Sequence, residues 1–390
     1  MLQIPAKTIT IDPAVRAQVN CRERLERMLP HFACDDVRDL GETTLDAIRA
    51  IGHRRHGKDD FGDDVVVAFT TFEPDRMGWY HHFRDGADYL QNHGGYCQSA
   101  LELNIVQGCA FRCAYCGFGR YLLFALDVER LVDGMDDLFA RYPAQRLWKY
   151  SNMTDLPAFE PEYDAVRPMV ERFARETDRY LMLFTKSDNV DFLLDIDHAG
   201  QTIVSWSMSS ETVSREVDKR AASMTERIEA MRKCQAAGYR VRARLSPIVP
   251  VKEWRREYRA FFEALFAACK PDLVTLELLG WFDFDDLAQM FPRELLDDEA
   301  YQAAASSADA LRGVHWGPFT ETTHQTVYRF CIETVKELSP ATPVAVCHGT
   351  PDTWEALGSL MGMRPGDYIC NCGPTSTPGN AIYDEANAPT

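Results

Sequence analysis

The sequence predicts an α/β fold, a partial (β/α)6 TIM-type barrel with an irregular N-terminal region and a C-terminal α+β extension. Short apolar runs typical of buried strands recur between 101 and 279, and amphipathic helical patterns separate them. This regular alternation stops after Gly280. Strands that alternate with helices form parallel sheets, because each crossover helix returns the chain to the same edge. A doubly wound sheet is the alternative architecture.

Six strand-like runs define the predicted barrel. They are LELNIV (101–106), RLWKY (146–150), YLMLFT (180–185), TIVSWS (202–207), RVRARLS (240–246) and LVTLELL (273–279). Six units are fewer than the eight of a complete barrel, so the barrel should be incomplete. Between the fourth and fifth runs, Ser223 and Glu226 form a predicted capping box, and Gly238 is expected to end that helix.

The predicted organisation has four parts. Residues 1–98 pack on the barrel of 99–280, an extension follows at 281–375, and the turn-rich residues 376–390 form a loose tail. No stretch reaches the roughly 20 apolar residues of a membrane span, and the first residues lack a signal-peptide pattern. A cytoplasmic protein without a membrane partner is therefore expected.

The charge balance bears on the partner class. The formal net charge is -17, from 42 basic and 59 acidic side chains. Such a charge repels a polyanion, so a nucleic-acid partner is not expected unless a local basic groove overrides it. A small-molecule substrate is expected instead.

The segment NIVQGCAFRCAYCGFGRY, after the first predicted barrel strand, contains a C-x3-C-x2-C motif of Cys109, Cys113 and Cys116. Three thiolates on one loop can hold three irons of a cubane 4Fe–4S cluster and leave the fourth iron open to a ligand. A zinc site would need a fourth ligand, and none lies in the loop. Tyr115 could cover an adenine face.

With this loop the sequence resembles the radical S-adenosylmethionine superfamily. The resemblance implies that the open iron binds the amino and carboxylate groups of S-adenosylmethionine. One electron, from a donor such as flavodoxin or ferredoxin, then cleaves that cofactor to a 5′-deoxyadenosyl radical, which abstracts a substrate hydrogen. The protein aims the radical and excludes competing reactions.

Over residues 100–280 the chain also resembles the spore photoproduct lyase group. The similar segments are FTKSDNV (184–190), VSWSMSSETV (204–213), SMTERIEAMRKCQAAGYRV (223–241), SPIVPVKEWRREY (246–258) and VTLELL (274–279). By this resemblance Lys186 and Ser207 contact S-adenosylmethionine, and Thr154 and Asp155 lie near its methionyl group. A solvated lysine at a strand end is the alternative for Lys186.

One segment departs from the lyases. They carry a hydrogen-donating cysteine in the segment that corresponds to 151–155, which reads Ser-Asn-Met-Thr-Asp here, and Asn152 stands in its place. An asparagine cannot donate a hydrogen atom to a carbon radical. Repair of a thymine dimer is therefore not expected.

Arg242 and Arg244 alternate with apolar residues on the fifth predicted strand, so both side chains share one face. Facing inward, the pair could bind a carboxylate, a phosphate or hydroxyl groups of a substrate. The equal alternative is that both arginines pair with acidic side chains on helices or face solvent.

Cys347, Cys370 and Cys372 lie in PVAVCHGT and DYICNCGP, and Cys331 lies in the preceding helix. The first interpretation is a second iron–sulfur cluster, because a C-x-C pair is hard to explain by packing alone. Its fourth ligand is Cys331, or else a substrate or water molecule. The second is a hydrogen-donating thiol among Cys347, Cys370 and Cys372. The third is a set of ordinary buried thiols.

The sequence as a whole predicts a radical S-adenosylmethionine enzyme that abstracts a hydrogen from a small polar metabolite. The expected substrate is a carbohydrate natural product, and the expected outcome is epimerisation or dehydrogenation. The alternatives are nucleic-acid repair like that of the spore photoproduct lyases and a non-enzymatic iron–sulfur sensor.

Overall fold

The computed structural model describes residues 1–41, 48, 65–72, 80–82, 86–98 and 100–388. The strands in chain order are β1 (Ile4–Ile11), β2 (Phe32–Ala33), β3 (Val37–Asp39), β4 (Val65–Thr70), β5 (Tyr80–His82), β6 (Ala100–Leu103), β7 (Val106–Gln107), β8 (Tyr121–Ala125), β9 (Leu147–Tyr150), β10 (Tyr180–Thr185), β11 (Thr202–Ser207), β12 (Arg240–Ile248), β13 (Val274–Leu278) and β14 (Val344–Val346). They form two sheets.

The α-helices cover the outer side of the sheets and the connections between them. They span Pro13–Ala17, Val19–Met28, Gly86–His93, Val128–Asp133, Met135–Arg141, Val166–Phe173, Glu211–Glu216, Met224–Ala236, Trp254–Ala268, Phe284–Met290, Asp298–Ser306, Glu321–Leu338, Pro351–Met361 and Ala381–Ala386. Short 3₁₀ turns occupy Leu29–His31, Leu156–Phe159, Asp191–Leu193 and Arg293–Leu295. Within the described ranges, none of the helices combines the length and apolar character that a bilayer crossing requires.

The larger sheet is a curled half-barrel with the strand order β14-β13-β12-β11-β10-β9-β6-β5. The seven strands from β6 to β14 are parallel, and β5 pairs antiparallel with β6 at one edge. Every residue of β10 is buried, as expected for a strand covered on both faces. The predicted partial barrel is confirmed, but β14 adds a seventh parallel strand from within the predicted C-terminal extension.

The smaller sheet joins the N-terminal region to the barrel. Its order is β2-β1-β4-β8-β7, with β3 also paired to β1. Strands β7 and β8 pair antiparallel, and residues 108–120 connect them. This connection, called the cysteine loop below, is therefore held at both ends by the smaller sheet.

The main hydrophobic core runs through most of the described fold, and two smaller apolar clusters lie apart from it. A single cluster of buried apolar side chains extends from Ile4 in β1 to Tyr383 near the end of the described chain. The helix Met224–Ala236 begins with the predicted capping box at Ser223, and Gly238 follows its end with φ of 91°. These predicted helix ends are confirmed.

Residues 376–388 do not form the predicted loose tail. Ser376 and Thr377 are fully buried, and the helix Ala381–Ala386 places Tyr383 against the barrel with 1% of its surface exposed. The Tyr383 hydroxyl donates to Asp272 over 2.5 Å. This turn-rich segment therefore packs across the barrel base. It can do so because its polar groups form hydrogen bonds with residues of the barrel.

Candidate functional site

The cysteine loop places its three thiols on one cavity of about 210 Å³, called the loop cavity. The turn is tight, since the Cys116 amide donates to the Cys113 carbonyl over 3.0 Å. Burial raises the pKa of both Cys109 and Cys113, and the neighbouring thiols raise it further for each. Cys113 is buried and Cys109 and Cys116 are partly exposed, and three thiolates grouped in this way require a positive partner, which is the environment of thiolate metal ligands. The residues present therefore fit an iron–sulfur cluster.

Four parallel strands bring the other predicted contacts to the same cavity. Asp155 follows β9, Lys186 follows β10, Ser207 ends β11 and Arg244 lies on β12, and all four line the loop cavity. The ends of parallel strands meet at one edge of a sheet, so residues far apart in sequence converge there. Tyr115 and Thr154 line the loop cavity as well. The structure thus places these predicted residues together, while their contacts with a cofactor stay predictions.

A buried charge network lies behind Lys186. Its ammonium contacts the Asp218 carboxylate over 2.7 Å, and Arg227 contacts the other Asp218 oxygen over 2.9 Å. Both Asp218 and Arg227 are fully buried. Burial would raise the pKa of Asp218, but the two cations outweigh it and lower that pKa below its ordinary value. Lys186 is therefore a paired, mostly buried group and not a solvated lysine.

Sequence reasoning missed Asp218 and Arg227, although one signal was present for the second. Arg227 precedes Met231 and Cys234 by four and seven residues, which places it on the buried face of its helix. A charged residue on such a face needs a buried partner. Asp218 carries no comparable signal, because it lies between two helices.

The polar groups beside the cysteines are positioned for a ligand. Asp155 accepts from the Thr185 hydroxyl over 2.9 Å and from the Lys186 amide over 2.6 Å, and burial raises its pKa to about 6. The Thr154 hydroxyl is buried and has no hydrogen-bond partner among the described residues. Buried hydroxyls nearly always have one, so a polar ligand in the loop cavity would complete this group.

A second cavity of about 460 Å³, called the inner cavity, adjoins the first. The two share Tyr115, Cys116, Phe118, Asn152 and Arg244 as lining residues. A ligand in the inner cavity therefore lies next to anything bound at the cysteine loop.

The inner cavity contains a second charged network, centred on Glu277. Arg244 contacts this carboxylate over 2.7 Å, and the His348 ring lies 3.1 Å from its other oxygen. Burial would raise the pKa of Glu277, but Arg244 and His348 hold it well below its ordinary value. Arg244 is thus a cavity residue whose charge is already partly neutralised.

Arg242 is not placed to bind a ligand, which corrects the predicted pair. It is fully buried, lies in an ion pair with Asp272 at 3.1 Å, and donates to the carbonyls of Asn371 and Ser376. The two arginines do point to one face of β12, but Arg242 lies lower in the barrel. There the segment 371–377 covers it.

The predicted C-terminal cysteines separate into two places. Cys347 and Cys372 line the inner cavity, and Cys370 forms a hydrogen bond with Cys372. Cys331 is fully buried in the helix Glu321–Leu338, and its pKa is raised by burial alone, with no contribution from another thiol. Cys97 joins this group instead, since His348 is hydrogen-bonded to both Cys97 and Cys347, and Cys370 interacts electrostatically with Cys97. Sequence spacing gave no sign of it.

A family model described as spore photoproduct lyase matches residues 97–289. The chain resembles the spore photoproduct lyases. The curated lyase of Bacillus subtilis (strain 168) is 29% identical over 182 residues, which cover 44% of this chain and 53% of the relative. The lyase of Geobacillus sp. (strain Y412MC61) is 26% identical over 172 residues, covering 41% and 49%. The chain therefore spans about half the length of the curated relatives it matches.

Solved lyase structures share the fold at low identity. A spore photoproduct lyase complexed with dinucleoside spore photoproduct has a TM-score of 0.63 and 16% identity, covering 87% of this chain and 98% of the other. A mutant lyase with bound AdoMet and dinucleoside spore photoproduct has a TM-score of 0.64 and 16% identity, covering 89% and 100%.

These comparisons confirm the resemblance to the radical S-adenosylmethionine superfamily and to its lyase-like group. They also correct the ranking of the predicted functions. The lyase-like alternative fits these similarities better than epimerisation or dehydrogenation of a carbohydrate.

Proposed function

We propose that this lyase-like chain is a radical S-adenosylmethionine enzyme. Its 4Fe–4S cluster would be held by Cys109, Cys113 and Cys116. The observation that supports this most directly is the loop cavity, where three adjacent thiols meet the ends of β9 to β12. The AdoMet-bound lyase structure with the same fold supports the cofactor assignment.

The chain's own residues would bind and orient this cofactor. When bound, the cluster supplies the electron that splits S-adenosylmethionine into methionine and a hydrogen-abstracting radical. The Thr154 hydroxyl offers an unused hydrogen-bonding group toward the cavity. The Tyr115 ring lies under the Lys186 ammonium, 5.0 Å from its centroid, and this contact fixes the ring beside Cys116. Asp218 holds Lys186 in turn, so the network acts as a rigid support.

We infer that the substrate is nucleic-acid-derived and of about dinucleoside size, and that it occupies the inner cavity. Solved relatives of the same fold hold a dinucleoside photoproduct. The inner cavity shares a wall with the loop cavity, as hydrogen abstraction by contact requires. Arg244 and Lys149 place positive charge on its wall, beside the Glu277 carboxylate.

The test uses the anaerobically reconstituted protein with S-adenosylmethionine, a reductant and dinucleoside spore photoproduct. We expect 5′-deoxyadenosine release that this substrate increases, and disappearance of the photoproduct by chromatography and mass spectrometry. The variant carrying C109A, C113A and C116A should show neither. Substrate-independent release alone would refute the substrate, and no release from reduced wild type would favour the sensor alternative.

A second candidate is oxidation of a small polar metabolite, and two observations favour it. Asn152 lines both cavities at the position where the lyases have a donor thiol, and it cannot return a hydrogen atom to a product radical. The net charge of -17 also opposes a polyanionic substrate. If the dinucleoside fails, fractions of polar metabolites should be screened for stimulated 5′-deoxyadenosine release.

A further inference from the structure

Four cysteines from three chain segments meet at the open side of the half-barrel. Cys97 lies between the paired edge strands β5 and β6, shortly before β6, and Cys347 directly follows β14 at the opposite edge. Cys370 and Cys372 lie on the segment that crosses the barrel base. These residues are called the four-thiol group below.

Backbone contacts fix the three segments against one another. The Tyr96 amide donates to the Gly349 carbonyl over 2.8 Å, and the Gln98 side-chain amide donates to the Tyr368 carbonyl over 2.6 Å. A Cβ atom on Gly95 would lie 2.4 Å from the His348 carbonyl oxygen, so only glycine permits this approach. The two edges of the sheet are therefore tied together where the thiols lie.

The thiols interact with one another and with polar neighbours. Cys370 is hydrogen-bonded to Cys372, and His348 is hydrogen-bonded to Cys347 and Cys97.

The other buried cysteines show what a packing role looks like in this chain. They lie in the main apolar core and are at most 5% exposed: Cys21, Cys234, Cys269 and Cys331. Cys347 and Cys372, by contrast, are partly exposed and line a cavity. Their place on a cavity wall therefore distinguishes Cys347 and Cys372 from the cysteines that only fill the core.

We propose that Cys97, Cys347, Cys370 and Cys372 bind a second iron–sulfur cluster. Among the described residues, Glu277, Cys347 and His348 form the group whose ligand atoms all lie within 4.8 Å of one another. The four sulfur atoms thus do not all lie within 4.8 Å of one another, whereas thiolates around one zinc ion are roughly 4 Å apart. A cluster of several irons matches the wider spacing and the set of four thiolates.

This second cluster would lie on the inner cavity, to which Cys347 and Cys372 contribute directly. Cys116 lines the same cavity from the cysteine loop. The proposal concerns binding only, and it does not depend on the identity of the substrate.

The experiment measures iron, acid-labile sulfide and zinc in full-length protein reconstituted under anaerobic conditions. The variant with C109A, C113A and C116A should keep about half of the wild-type iron and sulfide and a cluster absorption spectrum. Adding C370A and C372A to it should remove the rest. A matched variant that adds C331A and C234A instead should keep it, since those two thiols lie in the core.

Folding of each variant is checked by circular dichroism, and alkylation of the intact wild type gives an independent measurement. In the reconstituted wild type all four thiols should resist alkylation and become reactive after iron chelation. Three results would overturn the proposal: no iron in the triple variant, zinc without sulfide, or a metal-free disulfide between Cys370 and Cys372. Full iron in the wild type with C370A and C372A, combined with lost product formation, would instead assign a hydrogen-donor role.

Discussion

At the scale of single residues, charge pairing decides how the site is built. Asp218 is the only anion that directly contacts both Lys186 and Arg227 among the described ion pairs, and it has no exposed surface. A buried charge that loses its partner is costly, because neither water nor another ion replaces the interaction. The site therefore depends on a carboxylate that lies outside both cavities.

The D218N variant should lose roughly 3–5 kcal/mol of unfolding free energy, since two buried cations would be left without their counter-charge. Urea unfolding of the reconstituted protein measures this loss. The matched control is D191N, which removes the surface pair of Asp191 with Lys233 and should change stability by less than about 0.5 kcal/mol. Equal effects of the two variants would show that the network is not buried in solution.

Because of Glu160, the free energy of unfolding should decrease as the pH rises toward and through neutrality. Burial raises its pKa to about 7, although the amides of Ala165 and Val166 donate to it over 2.8 and 3.1 Å. Between the unfolded value of 4.5 and the folded value of about 7, the folded state holds the extra proton. Raising the pH therefore destabilises the folded state, by on the order of a few kcal/mol across this window.

The measurement compares wild type and E160Q by urea unfolding at pH 5 and pH 8. The variant should lack this part of the pH dependence, because its amide has no proton to lose. Parallel pH profiles for the two proteins would contradict the prediction.

At the scale of elements, the cysteine loop depends on how its hairpin begins. Gly108 has φ of 92°, and a Cβ atom there would lie 1.8 Å from the Tyr121 carbonyl oxygen. Because backbone meets backbone at this point, the clash cannot be relieved by moving a side chain. The pairing of β7 with β8, and thus the placement of the three thiols, requires glycine here.

The G108A variant should lose most of the iron bound at the cysteine loop, measured in a C370A, C372A background to remove any second cluster. The control is G200A, whose φ of 75° is also positive but whose added Cβ would meet nothing within 4 Å. That variant carries only the left-handed backbone cost of about 1–2 kcal/mol and should keep its iron. Equal iron in both would mean that the loop tolerates a shifted hairpin.

At the scale of the whole molecule, the segment 371–377 completes the barrel core. Arg242 donates to two of its carbonyls, and Cys372 packs on the inward side chains of Leu147 and Met182. These contacts join the base of the barrel to residues far along the chain. A change that detaches this segment from the barrel should therefore also destabilise the half-barrel.

The R242M variant should be destabilised by roughly 3–5 kcal/mol and should become sensitive to proteolysis near residue 376, because Asp272 and two carbonyls lose their donor. Limited proteolysis followed by mass spectrometry detects the site. R240M is the control, since Arg240 is exposed and its loss should matter little. A protease-resistant R242M protein would contradict the role given to this arginine.

The parts of the fold that the sequence predicts are those with local signals. Cys109, Cys113 and Cys116 are neighbours in the chain, and strands such as β10 are apolar on both faces. Cys97 and Cys347 meet only because the sheet curls until its two edges approach, and no spacing rule encodes that approach. The packing of 376–388 could not be predicted from the sequence, because turn-forming residues usually indicate an exposed segment. Here Arg242 and Asp272 form hydrogen bonds with this segment instead.

The late position of the segment 371–377 also governs how the protein is made. A ribosome adds roughly 5–20 residues per second, and every barrel strand leaves it before this segment does. For roughly 1 to 5 seconds after β14 has been made, the base of the nascent barrel is uncovered, and the apolar side chains of Leu147, Met182 and Ile203 lack the cover of this segment. During this interval chaperones that bind apolar surface can bind the uncovered side chains. The base is covered only when the carbonyls of Asn371 and Ser376 accept hydrogen bonds from Arg242.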